Sequence, residues 1–278
     1  MIIYTKNFIS RHGSHDDYHA FILTNHRADL HYHSKFHLLK NILKLNLPSP
    51  LQQLSCRHGT SVIGSTSVND IFCLGQQFLP IQRLQYVLWN LLTEEFIVVP
   101  EYPDNGFLET VFHGFGYDQL RDDFKIIQFI SFEDSSSYPA GFFEIYSLKS
   151  NSWRMIDMEK DLYHQDHAFI TRAFNGLKVY LDGACHWLLS GYINNKDQDG
   201  ALSLLSFNLS DEVFLTTPIG VEHFSPYIPL HHWMVLNGSM TLISNYHHDI
   251  VFHMSILDEL GVTESWIKLN IYGPLPSI

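Results

Sequence analysis

A hairpin of one design recurs along this chain at a regular spacing, and few features restrict a fold more. Four stretches share it: YVLWNLLTEEFIVVP from Tyr86, FEIYSLKSNSWRMID from Phe143, LLSFNLSDEVFLTTP from Leu204 and HMSILDELGVTESWIKLN from His253. In each, an alternating apolar run ends on a turn-starting residue (Asn90, Ser147, Asn208, Asp258) and a polar connection follows. A second run then opens on a large aromatic (Phe96, Trp153, Phe214, Trp266). Alternation with period two marks a half-buried strand. The interval from turn residue to aromatic is six positions in the first three copies and eight in the fourth, which carries Gly261-Val262 in addition.

A second kind of hairpin lies between these. VYLDGACHWLL turns at Asp182-Gly183, WMVLNGSMTLI at Asn237-Gly238 and TSVNDIFCL at Asn69-Asp70, pairs suited to a two-residue turn between right-twisted strands. A third element, HGFGYDQLRDDFKIIQF at 113–129, reads as strand, polar loop and strand. The steps are 57 residues from Asn90 to Ser147, 61 from Ser147 to Asn208 and 50 from Asn208 to Asp258, and 55 from Asp182 to Asn237. Two independent series therefore share one period. A period near ~50 residues with four strands per unit is that of a kelch-like β-propeller, so the expectation is an all-β chain of about five four-stranded blades. Trp153 is then a blade residue packing between neighbouring sheets, where a large aromatic buries much area. FHLLKNILKLNL at 36–47 fits either a helical period or a strand with its connection before Pro48 and Pro50.

Charge narrows the partners. There are 17 Lys plus Arg against 29 Asp plus Glu, a net charge of −12 with histidine neutral, which disfavours nucleic acid and suits a basic partner. Cys56, Cys73 and Cys185 have no CxxC spacing, so they read as core residues of a protein kept in a reducing compartment. No secretory h-region and no membrane-length apolar run is present, and the expectation is a soluble cytoplasmic or nuclear protein.

The 18 histidines, densest at His12, His15, His19, His31, His33 and His37, invite a metal reading. Against it, there is no HExxH and no carboxylate at a repeating ligand spacing. His231-His232 and His247-His248 are adjacent, so on a strand each pair would point to opposite faces. There is no GxSxG elbow and no P-loop, and Gly114-Phe-Gly116-Tyr is far from GxGxxG. Asp122-Asp123 and Glu94-Glu95 read as solvated turns. No catalytic residue, metal or cofactor is expected. Binding is expected on the long polar loops at 132–141, 194–200 and 221–233, with Tyr138, Tyr227, His231 and Trp233 as aromatic anchors and Glu133, Asp134, Asp197 and Asp199 supplying charge.

Taken in order, GFGYDQLRDDFKII (114–127), FEIYSLKSNSWR (143–154), LDGACHWL (181–188), LLSFNLSDEVF (204–214) and GVTESWIKL (261–269) resemble the successive signature segments of the plant F-box associated domain of type 1. VLWNLLTEEFIVVP (87–100) resembles the segment preceding GFGYD in that family, and GPLPSI (273–278) is similar to its S-locus F-box branch. NFISRH (7–12) resembles the segment that follows an F-box. On that resemblance, residues 1–54 are a post-F-box segment with the first strands and 55–278 the propeller-like domain, with the F-box itself and the last blade lacking. The resemblance implies substrate recognition for a Skp–cullin–F-box ubiquitin ligase. The target protein would be, in the S-locus branch, a basic secreted S-RNase of the style in self-incompatibility. Adaptor and cullin would be engaged only where an F-box is present. The alternatives are a metal-dependent enzyme and a glycan-binding lectin-like module on the same scaffold. Bound metal in the purified protein would favour the first and signal on a glycan array the second, and neither is the expected result.

Overall fold

In the computed structural model, residues 2–5, 20–23, 42–43, 60–77, 84–90, 92–101, 108–132, 140–156, 173–191, 201–220, 231–245 and 252–272 are described. They fall into two compact units, Met1–Glu101 and Tyr102–Ile278. In the first unit, β1 (Ile2–Thr5), β2 (Ala20–Leu23) and β3 (Ile42–Leu43) form sheet I in the order β2-β1-β3. Sheet II is β4 (Thr60–Val68), β5 (Ile71–Gln77), β6 (Leu84–Asn90) and β7 (Phe96–Val98), paired in chain order. Ile42–Leu43 lies in the stretch that fitted either helix or strand, and it is strand.

The second unit holds three sheets of the same plan. Sheet III is β8 (Leu108–Asp118), β9 (Asp123–Phe132), β10 (Ala140–Ser147) and β11 (Ser152–Ile156). Sheet IV is β12 (Ala173–Leu181), β13 (Ala184–Gly191), β14 (Ala201–Asn208) and β15 (Phe214–Ile219). Sheet V is β16 (His231–Leu236), β17 (Ser239–Asn245), β18 (Phe252–Leu257) and β19 (Trp266–Tyr272). All pairings are antiparallel, and one 3-10 turn at Thr263–Ser265 is the sole helical element among the described residues. The fold is thus all-β and of propeller type. Four of its five sheets have four strands, and sheet I has three among the described residues.

Turn chemistry explains the period. At Asn69-Asp70, Asp182-Gly183 and Asn237-Gly238 both central residues are left-handed, with φ of 46° and 64°, 48° and 78°, 51° and 79°. This is the two-residue turn whose twist matches the paired strands. The element at 113–129 is not a separate kind, since β8–β9 is the first hairpin of its sheet with a longer loop. Its loop is of the type used by the second hairpins. The four-residue loops 91–94, 119–122, 148–151 and 209–212 each end on a left-handed residue: Glu94, Asp122, Asn151 and Glu212, with φ of 60°, 52°, 49° and 59°. The side chain that starts three of these loops caps them. Asn90 Oδ1 accepts the N–H of Leu92 (2.9 Å), Asp118 Oδ1 that of Leu120 (3.1 Å) and Asn208 Oδ1 that of Ser210 (2.8 Å).

In the second unit β12 lies beside both β8 and β16, so the first strands of the three sheets gather together. Two apolar layers separate the sheets. Phe129, Phe143 and Ile145 of sheet III pack against Trp187, Leu205 and Phe207 of sheet IV, with Phe214 reaching Phe143 at 4.5 Å between ring centres. On the other side of sheet IV, Val179, Leu188, Leu204 and Ile219 meet Met240, Leu242, Leu257 and Trp266 of sheet V. Buried polar atoms of the aromatics reach backbone across each seam: Trp187 Nε1 donates to His113 O (2.9 Å), Tyr180 Oη to Tyr117 O (2.8 Å) and Trp266 Nε1 to Pro218 O (3.1 Å). Trp153 is half-buried and packs on Tyr146 of its own sheet at 5.4 Å, while its counterparts Phe214 and Trp266 lie in the layers between sheets.

The glycines of GFGY have the same cause. A Cβ on Gly114 would strike Cys185 and Trp187, and one on Gly116 would strike Tyr180 and Leu209, so β8 can press its backbone against sheet IV only where side chains are missing. Gly116→Ala is expected to lose about 1–3 kcal/mol in equilibrium urea unfolding. Gly183→Asn, at φ 78° with open space around it, should stay within about 0.5 kcal/mol of the parent, because Asn tolerates the left-handed region.

Candidate functional site

Six of the expected binding residues, Glu133, Asp134, Tyr138, Asp197, Asp199 and Tyr227, lie outside the described residues. His231 and Trp233 were expected in a loop and are instead strand residues of β16, paired with Ser244 and Leu242. The reason is that the alternation leading into the Asn237-Gly238 turn continues back to His231, so the hairpin registers pull these residues into the sheet.

Chain order relates the expected residues to the described strands. Within each four-stranded meander the first-to-second and third-to-fourth connections meet at the same end, here called the turn end, and the second-to-third connection and the links between sheets meet at the other. Segment 133–139 joins β9 to β10, 192–200 joins β13 to β14, and 221–230 leads from β15 to β16, whose first residue is His231. The described strand ends that these segments join, Phe132, Ala140, Gly191, Ala201, Ile219 and His231, lie at the end opposite the short turns.

The turn end of sheets III and IV is the most ordered polar region described. Lys125 is 3% exposed, and its ammonium donates to Asp118 Oδ2 (2.7 Å), Leu209 O (2.7 Å) and Glu212 Oε1 (3.1 Å). An ammonium has three protons, and each finds an oxygen. Asp118, fully buried, also accepts from the side chains of Arg121 (3.0 Å) and Ser210. Arg121 bonds Ser210 O, and Arg154 pairs with Glu212, so three cations of sheet III are held by groups of sheet IV or shared with them. Asp123, read from sequence as part of a solvated turn, is buried instead. It accepts from Ser147 Oγ (2.6 Å) and Lys149 N–H (2.8 Å) and ties the two hairpins of sheet III together. Glu94 and Glu95 are exposed as expected.

These bonds set the charge states. Burial pushes the Asp118 carboxyl up, but hydrogen bonds from Lys125, Ser210 and Arg121 outweigh it and hold the group well below the usual carboxylate range. Glu212 is likewise raised by burial and lowered more by Arg154 and Lys125. Each of these groups is bonded within the molecule. The spacing of 87 residues between Lys125 and Glu212 hid the interlock from sequence reasoning, although GFGYD and LSDE, the segments that supply it, were both legible as turns.

A serine and a histidine also meet. His186 Nδ1 lies 2.8 Å from Ser206 Oγ, with Nε2 3.4 Å from Leu181 O, and burial lowers the imidazole to about 4. The ring is 3% exposed, so the pair is sealed inside sheet IV and serves packing. Cys73 and Cys185 are buried, and burial pushes the Cys185 thiol up, which leaves it unreactive. Cys56, His247, His248 and the N-terminal histidines lie outside the described residues, among which no group of three or more metal-ligating side chains occurs. No helix among the described residues is long and apolar enough to cross a membrane.

Comparison with known proteins gives a consistent family. The sequence model of the F-box associated beta propeller domain matches residues 33–267. The chain is 26% identical over 174 residues to F-box protein CPR1 of Arabidopsis thaliana, covering 57% of this chain and 40% of that protein. It is 24% identical over 185 residues to putative F-box protein At3g16210 of the same plant, covering 65% and 42%. To F-box protein At4g22390 of A. thaliana it is 26% identical over 175 residues, covering 58% and 40%. The chain thus spans less than half the length of these relatives.

Two outcomes test the interlock. Lys125→Met takes this cation from the buried Asp118 and the half-buried Glu212 and is expected to cost about 3–5 kcal/mol, whereas Asp118→Asn combined with Lys125→Met should cost less than the sum of the single changes. The pH profile has a defined sign. His186, lowered from 6.5 to about 4, contributes stability that is complete above pH 6.5 and lost as pH falls toward 4. Asp118 and Glu212, both lowered, contribute stability present above the ordinary carboxylate range and lost on further acidification. Urea midpoints should therefore fall in two stages from neutral pH downward, and His186→Gln should flatten the first.

Proposed function

We propose, because the chain belongs to the F-box associated beta propeller domain family, that it is a protein-binding module that selects targets for a Skp–cullin–F-box ubiquitin ligase and performs no chemistry of its own. The observation that supports this most is the division between the two ends of the sheets. The turn end of sheets III and IV spends its cations and buried carboxylates on itself, while the opposite end carries the longer, variable-length connections. Recognition by loops on a rigid sheet scaffold is the ordinary way such a fold binds.

The target surface comprises Glu133, Asp134, Tyr138, Asp197, Asp199, Tyr227, His231 and Trp233, and the target is a basic protein, of which secreted S-RNases in self-incompatibility are one class. Residues 102–278 carry 9 Lys plus Arg against 22 Asp plus Glu, net −13, while residues 1–101 carry 8 against 7, net +1, so the acidity that attracts such a partner is a property of the second unit. Charge of this kind speeds encounter and sets specificity more than it adds affinity. Adaptor and cullin are engaged only where an F-box is present, and binding takes place in the cytoplasm or nucleus.

Affinity capture from pollen and vegetative extracts, with the whole chain as bait, tests the reading. Captured proteins should be basic and should be ubiquitinated in a reconstituted ligase in which this domain carries an F-box. Reversing Glu133, Asp134, Asp197 and Asp199 to Lys should lower capture about tenfold, while reversing Asp182 and Asp211 at the turn end should not. Equal loss from both sets would show that the binding is nonspecific attraction to net charge.

A further inference from the structure

The interlock at the turn end contains one hydroxyl, and it joins the two sheets. Ser210 is half-buried in the four-residue loop 209–212, beside the exposed Asp211. Its Oγ donates to the buried Asp118 Oδ1 (2.5 Å) across the seam between sheets IV and III. Its carbonyl accepts from Arg121 of sheet III, so two bonds of the seam converge on this residue. The loop itself is held by short-range bonds, with the N–H groups of Ser210 and Asp211 donating to Asn208 Oδ1 (2.8 and 2.9 Å).

The flanking sequence defines what would act on that hydroxyl. Asp211 and Glu212 follow the serine directly, and from Asp197 to Ile267 the chain contains nine Asp and Glu and not one Lys or Arg. A kinase that reads carboxylates after its acceptor is matched here by charge, while one that reads Lys or Arg before the acceptor finds neither. Thr93 offers an internal comparison. It is exposed in the corresponding loop of sheet II and also precedes two carboxylates, Glu94 and Glu95, but its hydroxyl donates to Glu95 of its own loop (3.0 Å) and not across a seam.

We propose that Ser210 is a phosphorylation site for an acidophilic serine/threonine kinase, and that the phosphate unlocks sheet III from sheet IV at the turn end. In the transfer Ser210 Oγ forms a bond to the γ-phosphorus of ATP and the bond from that phosphorus to the β–γ bridging oxygen breaks. ADP leaves, and the hydroxyl proton passes to a carboxylate of the kinase. The product has no proton to give Asp118 and sets a charge of about −1.5 to −2 against a buried carboxylate. The phosphate therefore turns outward. It draws Arg121, which is 56% exposed, away from Asp118, since a guanidinium pairs with phosphate through two parallel bonds. Asp118 then loses two donors in the interior while the new pair forms at the surface. Loss at a buried carboxylate outweighs gain at an exposed ion pair, so the seam loosens. The inference rests on the scaffold alone, and it holds whether or not the chain selects ubiquitination targets.

The whole chain, incubated with ATP and a kinase that requires acidic residues after its acceptor, or with one that requires basic residues before it, tests this when phosphate is mapped by peptide mass spectrometry. The first kinase should modify Ser210 and the second should not. Modification should lower the urea midpoint by about 0.5 M. Kinase treatment should still lower the midpoint of Thr93→Ala but should leave that of Ser210→Ala unchanged. Without any kinase, Ser210→Glu should unfold at lower urea than Ser210→Gln, which matches it in size and carries no charge. Absence of phosphate at Ser210 after treatment with the first kinase would overturn the proposal, as would phosphorylated Ser210 with an unchanged midpoint. Equal midpoints for the Glu and Gln variants would also sink it, since charge at this position would then not act on Asp118.

Discussion

A single buried ammonium holds the turn end of the second unit together. Lys125 sits where the first hairpin of sheet III meets the second hairpin of sheet IV, and its three protons are divided between one carboxylate of its own sheet and two oxygens of the next. A charge taken out of water at this depth is tolerable only if every proton is matched, so the relative placement of the two hairpins is fixed to within hydrogen-bond tolerance. The loop geometry supplies the acceptors. Leu209 and Glu212 are the first and last residues of one four-residue loop, and the left-handed conformation of Glu212 belongs to the turn that sets them there.

That interlock also determines where function can lie. A cluster of Asp, Glu, Lys and Arg in a family signature segment invites a binding or catalytic reading, yet each of these groups is already bonded within the molecule, and those with resolved shifts are stabilised in their charged states. The signature residues keep the blades in register. Loops on such a scaffold can vary in sequence without disturbing it.

The layers between sheets follow one repeating rule. Sheet IV meets sheet III with one side and sheet V with the other, each seam made of aliphatic and aromatic residues with an indole or phenol proton reaching a backbone carbonyl. The aromatic that opens the fourth strand shows how the rule is applied: Phe214 and Trp266 face the preceding sheet, whereas Phe96 is 40% exposed and Trp153 half-buried. Identical sequence position thus gives different burial among the described residues.

The sequence alone determined the strands, their hairpins and the period, because these depend on local rules: alternation, and turn residues such as Asn237-Gly238 that accept a left-handed backbone. It placed His231 and Trp233 in a loop, although the alternation before Asn237-Gly238 runs back to them, and Asp123 in solvent, although its partners Ser147 and Lys149 come from the other hairpin of its sheet. Only tertiary structure decided that Lys125 belongs with Glu212, that Gly116 makes room for Tyr180, and that Asp123 is buried. Contacts between residues 64 or 87 positions apart leave no period to read, since they are fixed by how one sheet stacks on the next and not by the strand that carries each residue.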